Sequence, residues 1–141
     1  MTASPGLVTA ASANLPPPKL VDGRAQVRKA LEEMECSVAY TVRGRYPRST
    51  QDGVLVTVGE YTNTSTDCPV VDKLSYQIDL WAFDRGTVVT LSEAVNRTLL
   101  GMGFLREYAG PDERSEEPAG YCRKTFRYGR KVDKRWMRLM D

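Results

Sequence analysis

Leu74-Ser-Tyr-Gln-Ile-Asp-Leu-Trp-Ala-Phe83 decides the fold of this chain. Leu74, Tyr76, Ile78, Leu80 and Ala82 recur with period two, so one face of a strand is apolar, while Ser75, Gln77 and Asp79 occupy the other. The pattern predicts a strand buried on one face only. Downstream, Thr90-x-x-Glu93 has the spacing of a reciprocal N-terminal cap, and Gly101-Met-Gly103-Phe104 supplies glycines that tolerate left-handed backbone at a helix end. A helix between those marks places Leu91, Val95, Thr98, Leu99 and Met102 on its core side.

Working outward, Asp22 is positioned to cap a first helix running to about Met34, with Val27, Ala30, Leu31 and Met34 on one face and Arg28, Lys29, Glu32 and Glu33 off it. Val38–Val42 reads as a short strand, and Gly53 opens a β-branched run, Val54–Val58. Thr62–Lys73 is polar and shows no clear periodicity. It is longer than the roughly two to five residues a hairpin turn needs, which predicts a long, exposed loop. Phe104–Tyr108 and Tyr121–Tyr128 are two further strand candidates around an acidic Gly110–Gly120 loop. The order helix, strands, helix, strands implies an α+β domain, one mainly antiparallel sheet with two helices packed on one face.

A length of 141 residues, 41% of them hydrophobic, suits one domain. Residues 1–19, rich in Ala, Ser and Pro and ending near Pro16-Pro-Pro18, form an extension that buries too little apolar surface to order alone; 20–129 is the domain; 130–141 is a basic tail. Histidine is absent, which removes the commonest general base and metal ligand. Cys36, Cys68 and Cys122 are odd in number, far apart and without a C-x-x-C, so they are expected to be reduced. No apolar run approaches membrane-spanning length and the start lacks a signal-peptide pattern, pointing to a soluble, unexported protein. Asn63-Thr-Ser and Asn96-Arg-Thr match a glycosylation acceptor, a short pattern expected to be unused here.

Charge is unevenly placed. Glu107, Asp112, Glu113, Glu116 and Glu117 precede a segment rich in Arg123, Lys124, Arg127, Arg130, Lys131, Lys134, Arg135 and Arg138. Asp79 and Asp84, or the crowded glutamates, could hold Mg²⁺ for a nuclease, but no lysine or base stands at usable spacing. Gly101-Met-Gly103 ends a helix, where a phosphate loop would open one. Cys122 has no histidine to activate it. No catalytic residue, cofactor or metal is expected. The cations interleaved with Phe126, Tyr128 and Trp136 leave two readings open, a surface for nucleic acid or a strand with a solvated cationic face. Leu100 projects away from the core face among Glu93, Asn96 and Arg97, either singly exposed or in contact with another subunit.

Tyr76-Gln-Ile-Asp-Leu-Trp-Ala82, the helix Leu91–Met102 followed by Gly103-Phe104-Leu105, and Tyr121-Cys-Arg-Lys-Thr-Phe-Arg-Tyr128 together resemble the tail terminator, or head-to-tail joining, proteins of long-tailed bacteriophages, over about Val21–Tyr128. The resemblance implies a virion structural protein, assembled in the host cytoplasm, that forms a homo-oligomeric ring, typically a hexamer. Such a ring caps the tail tube and docks on the head connector, meeting DNA in its lumen only non-specifically, with no membrane partner and no catalysis. Residues expected at its interfaces are Leu100, Arg127, Arg130, Lys131, Lys134, Arg135 and Trp136, together with Thr66, Asp67 and Asp72 of the polar segment and Glu113 and Glu116 of the acidic loop. The alternative function is a nucleic-acid-binding accessory domain that uses the basic tail.

Overall fold

The computed structural model describes residues 22–135; the N-terminal extension and Trp136, with the rest of the tail, lie outside the described residues. Helices α1 (Arg24–Glu32) and α2 (Arg85–Gly101) accompany strands β1 (Thr41–Arg43), β2 (Leu55–Ser65), β3 (Val71–Ala82), β4 (Leu105–Ala109), β5 (Glu113–Glu116) and β6 (Ala119–Asp133). One sheet runs in the order β1-β2-β3-β6-β4, with β5 paired to the start of β6. Only β1 on β2 is parallel; the other pairings are antiparallel. The domain is α+β, as the order of elements predicts.

Leu74, Tyr76, Ile78, Leu80 and Ala82 are fully buried against one layer made by Val27 and Leu31 of α1 and Val88, Leu91, Val95 and Leu99 of α2. Each large aliphatic side chain so buried contributes about 1.5–3 kcal/mol. Two phenols enter this layer with their polar ends satisfied: Tyr76 Oη accepts from the Gly23 N–H at 2.9 Å, and Tyr128 Oη donates to Asn96 Oδ1 at 3.0 Å. Burial pushes the pKa of each phenol up to about 12. The end of α2 is a Schellman motif: Gly103, at φ +86°, gives its N–H to Leu100 O, Phe104 gives its N–H to Leu99 O, and Phe104 and Leu99 are both buried.

The structure corrects the sequence reading at several places. The N-cap of α2 lies six residues before Thr90: it is Asp84, its Oδ1 accepting from the Thr87 N–H at 2.9 Å, and the Thr90 hydroxyl instead donates to Gly86 O. Gly23 is the N-cap of α1, with Asp22 accepting from the Arg24 N–H, and the helix stops at Glu32. Of the expected strand Val38–Val42 only Thr41 and Val42 lie in β1; residues 38–40 are not strand, and Tyr40 folds back to donate its hydroxyl to Leu31 O near the end of α1. The largest change is at Thr62–Lys73. It is not a long loop but the distal part of a hairpin, with Thr62↔Ser75 through Ser65↔Asp72 paired and only residues 66–70 turning. Its Thr, Asn and Ser side chains suit a solvated strand but give no apolar period. The Gly110–Gly120 loop likewise contains β5, and Arg130–Asp133 of the basic tail belong to β6.

Candidate interaction surface

The face of the sheet turned away from the helices is set by the residues that alternate with the core. In β3 these are Lys73, Ser75, Gln77, Asp79 and Trp81; across the pairing with β6 they meet Lys131, Gly129, Arg127, Thr125 and Arg123. Strand β3 is therefore not buried on one side only. Trp81 joins Leu55 and Tyr121 in a second small cluster, and Ser75 and Asp79 are buried too. Trp81 Nε1 donates to Thr57 Oγ1 at 3.1 Å, and Phe83 stacks on Tyr121 with ring centroids 5.1 Å apart.

Two arginines on β6 each pack against two aromatic rings. Arg123 Cζ lies 4.7 Å from the Tyr46 ring centroid and 4.6 Å from that of Trp81. Its guanidinium is paired with Asp79, Nε to Oδ1 at 3.1 Å, and that carboxylate, 1% exposed, also accepts from Thr125 Oγ1 and from Gln77 Nε2. Arg127 Cζ lies 4.1 Å from the Tyr61 centroid and 4.8 Å from that of Tyr108. It gives one hydrogen bond, Nε to Gln77 Oε1 at 3.3 Å, and among the described residues has no carboxylate partner.

Backbone irregularities create this clamp of Tyr61 and Tyr108 about Arg127. Tyr61 is the extra residue between Glu60↔Tyr76 and Thr62↔Ser75, and Glu107 the extra residue between Arg106↔Tyr128 and Tyr108↔Arg127. Bulges on both flanking strands thus face each other across the central pair β3–β6 and re-aim their side chains onto the open face. Glu107 reaches over β6 to Ser75 Oγ at 2.9 Å and to Lys73 Nζ. Its path is open because position 129 is glycine: a Cβ there would lie 2.6 Å from the carboxylate. Tyr46, Tyr61 and Tyr108 remain 47%, 49% and 42% exposed, and a hollow of about 180 Å³ over Gly59 separates Tyr46 from Tyr61, with Gln77 and Asp79 at its base.

The residues singled out from sequence fall in different places. Leu100 is exposed on the outer face of α2, in line with exposed Val89. Arg127 is on the open face. Arg130 is on the helix side, donating to Met102 O at the end of α2, where a cation complements the helix dipole. Lys134 is buried and 3.6 Å from buried Asp72, and Arg135 donates from Nε to Asp133 Oδ1 at 2.9 Å. Lys131 is exposed at the far end of β6. Thr66 closes the β2–β3 turn, its hydroxyl donating to Val71 O at 2.7 Å, with Asp67 exposed beside it. Glu113 and Glu116 are exposed on β5. Sequence reading missed Tyr46, Tyr61, Tyr108 and the paired Asp79–Arg123, whose only local signal is the four-residue spacing of Arg123 and Arg127 on one strand face.

Among the described residues no group of three or more Cys, Asp or Glu is placed to hold a metal ion, and no helix is long and apolar enough to cross a membrane. Cys36, Cys68 and Cys122 are not paired with one another. No protein-family model matches the chain, and no curated protein matches its sequence.

Proposed function

We propose that this chain is a structural protein of a long-tailed bacteriophage virion, a subunit of a closed ring, hexameric as the resemblance implies, that ends the tail tube and joins it to the head connector without covalent chemistry. The observation that supports it most directly is the open sheet face, where three half-exposed tyrosines and a clamped arginine form a contact surface spanning β2, β3, β6 and β4. A second, unlike surface, the outer face of α2 with Val89 and Leu100 exposed along it, lies across the sheet from it. A subunit that closes head-to-tail into a ring and also joins two different bodies needs unlike surfaces of this kind.

The test is light scattering of the purified protein, alone and with tail tube protein, combined with loss of the gene in an infecting phage. The expected results are a discrete multimer at micromolar concentration, and filled heads beside separate, often overlong tails. A chain that stays monomeric under both conditions, or normal virions without it, overturns the reading. The alternative built on the basic tail draws little support from the described residues, because Arg130, Lys134 and Arg135 are engaged within the fold.

A further inference from the structure

Arg123 and Arg127 stand four residues apart on one strand face, and each guanidinium lies over two aromatic rings, Arg123 over the adjoining Tyr46 and Trp81 and Arg127 over Tyr61 and Tyr108. They differ in one respect. The fork of Arg123 is filled by the buried carboxylate of Asp79, whereas the four N–H bonds of Arg127 Nη1 and Nη2 have no acceptor among the described residues. A guanidinium held by two rings and by a hydrogen bond from Nε has already lost much of its rotamer freedom, so its remaining donor edge is pre-organised for a bidentate oxyanion.

The chain also carries unmatched anions. Asp112 is paired with Arg85 at 3.0 Å and Lys124 at 3.3 Å, but Glu113, Glu116 and Glu117, on and beside β5, make no ion pair among the described residues. Glu113 pairs in register with Arg123, on the same face as Arg127 but four residues away along β6, or about 13 Å. The hairpin is hydrogen-bonded in that register, so its own carboxylates cannot slide to the clamp. A second copy is not so restricted.

We propose that the Arg127 clamp receives a carboxylate from the β5–β6 hairpin of the next copy of this chain, so that each subunit offers an arginine fork on one side and an acidic hairpin on the other. The inference rests on the ring reading and names the contact that closes the ring. Clamp and hairpin are different patches, so the contact is heterologous and passes from copy to copy around a closed circle.

Two variants and their mixture test it: Arg127→Glu, and the triple change Glu113→Lys, Glu116→Lys, Glu117→Lys. Each alone is expected to weaken association more than about tenfold, seen as monomer by light scattering where the wild type is a multimer, with unchanged circular dichroism. An equimolar mixture should assemble again, alternating one native contact with one charge-swapped contact. If Arg127→Glu assembles like the wild type, the clamp is not the subunit contact and the proposal falls, while the ring reading stands. If the wild type is monomeric alone and with tube protein, both fall. If assembly survives but salt-dependent binding to DNA is lost in Arg127→Glu, the fork takes phosphate and the carboxylate assignment is overturned.

Discussion

Asp79 shows how one buried side chain organises a whole surface. Its carboxylate holds Arg123, Thr125 and Gln77, and Gln77 in turn holds Arg127, so the two arginines share one polar root. Asp79→Ala leaves Arg123 without its partner in a half-buried site. Breaking a fully buried pair costs about 3–5 kcal/mol, and the 26% exposure of the Arg123 side chain allows water to recover part of it, so a loss of about 2–3 kcal/mol is expected in urea unfolding. Glu107 offers a second check with a defined pH sign. Burial pushes its carboxyl up, but hydrogen bonds from Lys73 and Ser75 and the Lys73 charge outweigh that and leave it below its ordinary value of 4.5. The unfolded chain therefore binds the proton more readily, and the Glu107 contribution is present above about pH 4.5 and lost as pH falls through the folded value. The stability gap between wild type and Glu107→Gln should narrow on acidification across that range. Gly129→Ala should mimic the acid state at neutral pH, pushing the Glu107 carboxylate off Ser75 and Lys73 at a cost of about 1 kcal/mol because the site is partly solvated.

At the scale of elements, the end of α2 is the most constrained joint. Gly103→Ala forces a Cβ into left-handed backbone and towards the Arg130 guanidinium, 3.4 Å away, and should cost about 1–2 kcal/mol in thermal unfolding. That joint was legible in the sequence because Gly103-Phe104 follows a helical apolar period and little besides glycine fits. So was the core side of β3, where five apolar residues alternate. The true start of α2 was not, since Thr90-x-x-Glu93 fits a cap pattern equally well and only the pairing of β3 shows that the strand stops at Ala82, leaving Asp84 at the turn. The distal hairpin was hidden for a different reason: Thr62, Asn63 and Thr64 are polar, so their pairing with β3 leaves no hydrophobic trace. Hydrogen exchange should find the Asn63 to Ser65 amides more protected than the Asp67 to Val70 turn, and Thr66→Ala should erode that difference by removing the hydroxyl bond to Val71 O. The clamps were illegible because each joins residues from three separate elements, which no single window of sequence displays.

For the molecule as a whole, the core formed by the described residues closes between α1, α2 and the sheet from Val27 onward; deletion of residues 1–16 is expected to leave the melting temperature unchanged and to weaken assembly, and a lowered melting temperature would make that segment part of the core. Replacing Cys36, Cys68 and Cys122 by serine should likewise leave the proposed tail joining intact, because the exposed Cys68 and the half-buried Cys36 and Cys122 form no bond with one another. The opposed bulges have a further consequence at this scale. Beyond Thr57, β2 has no outer partner among the described residues, and β4 is the opposite margin of the sheet. Two such margins could in principle recruit strands from copy after copy without limit. An added residue at Tyr61 and another at Glu107 throw the outward amide groups out of step with any straight strand, so recruitment along either margin stalls after a few bonds. Fibre growth by strand addition is thereby discouraged, which leaves side-chain contacts, such as those of the ring proposed above, as the way for copies to meet.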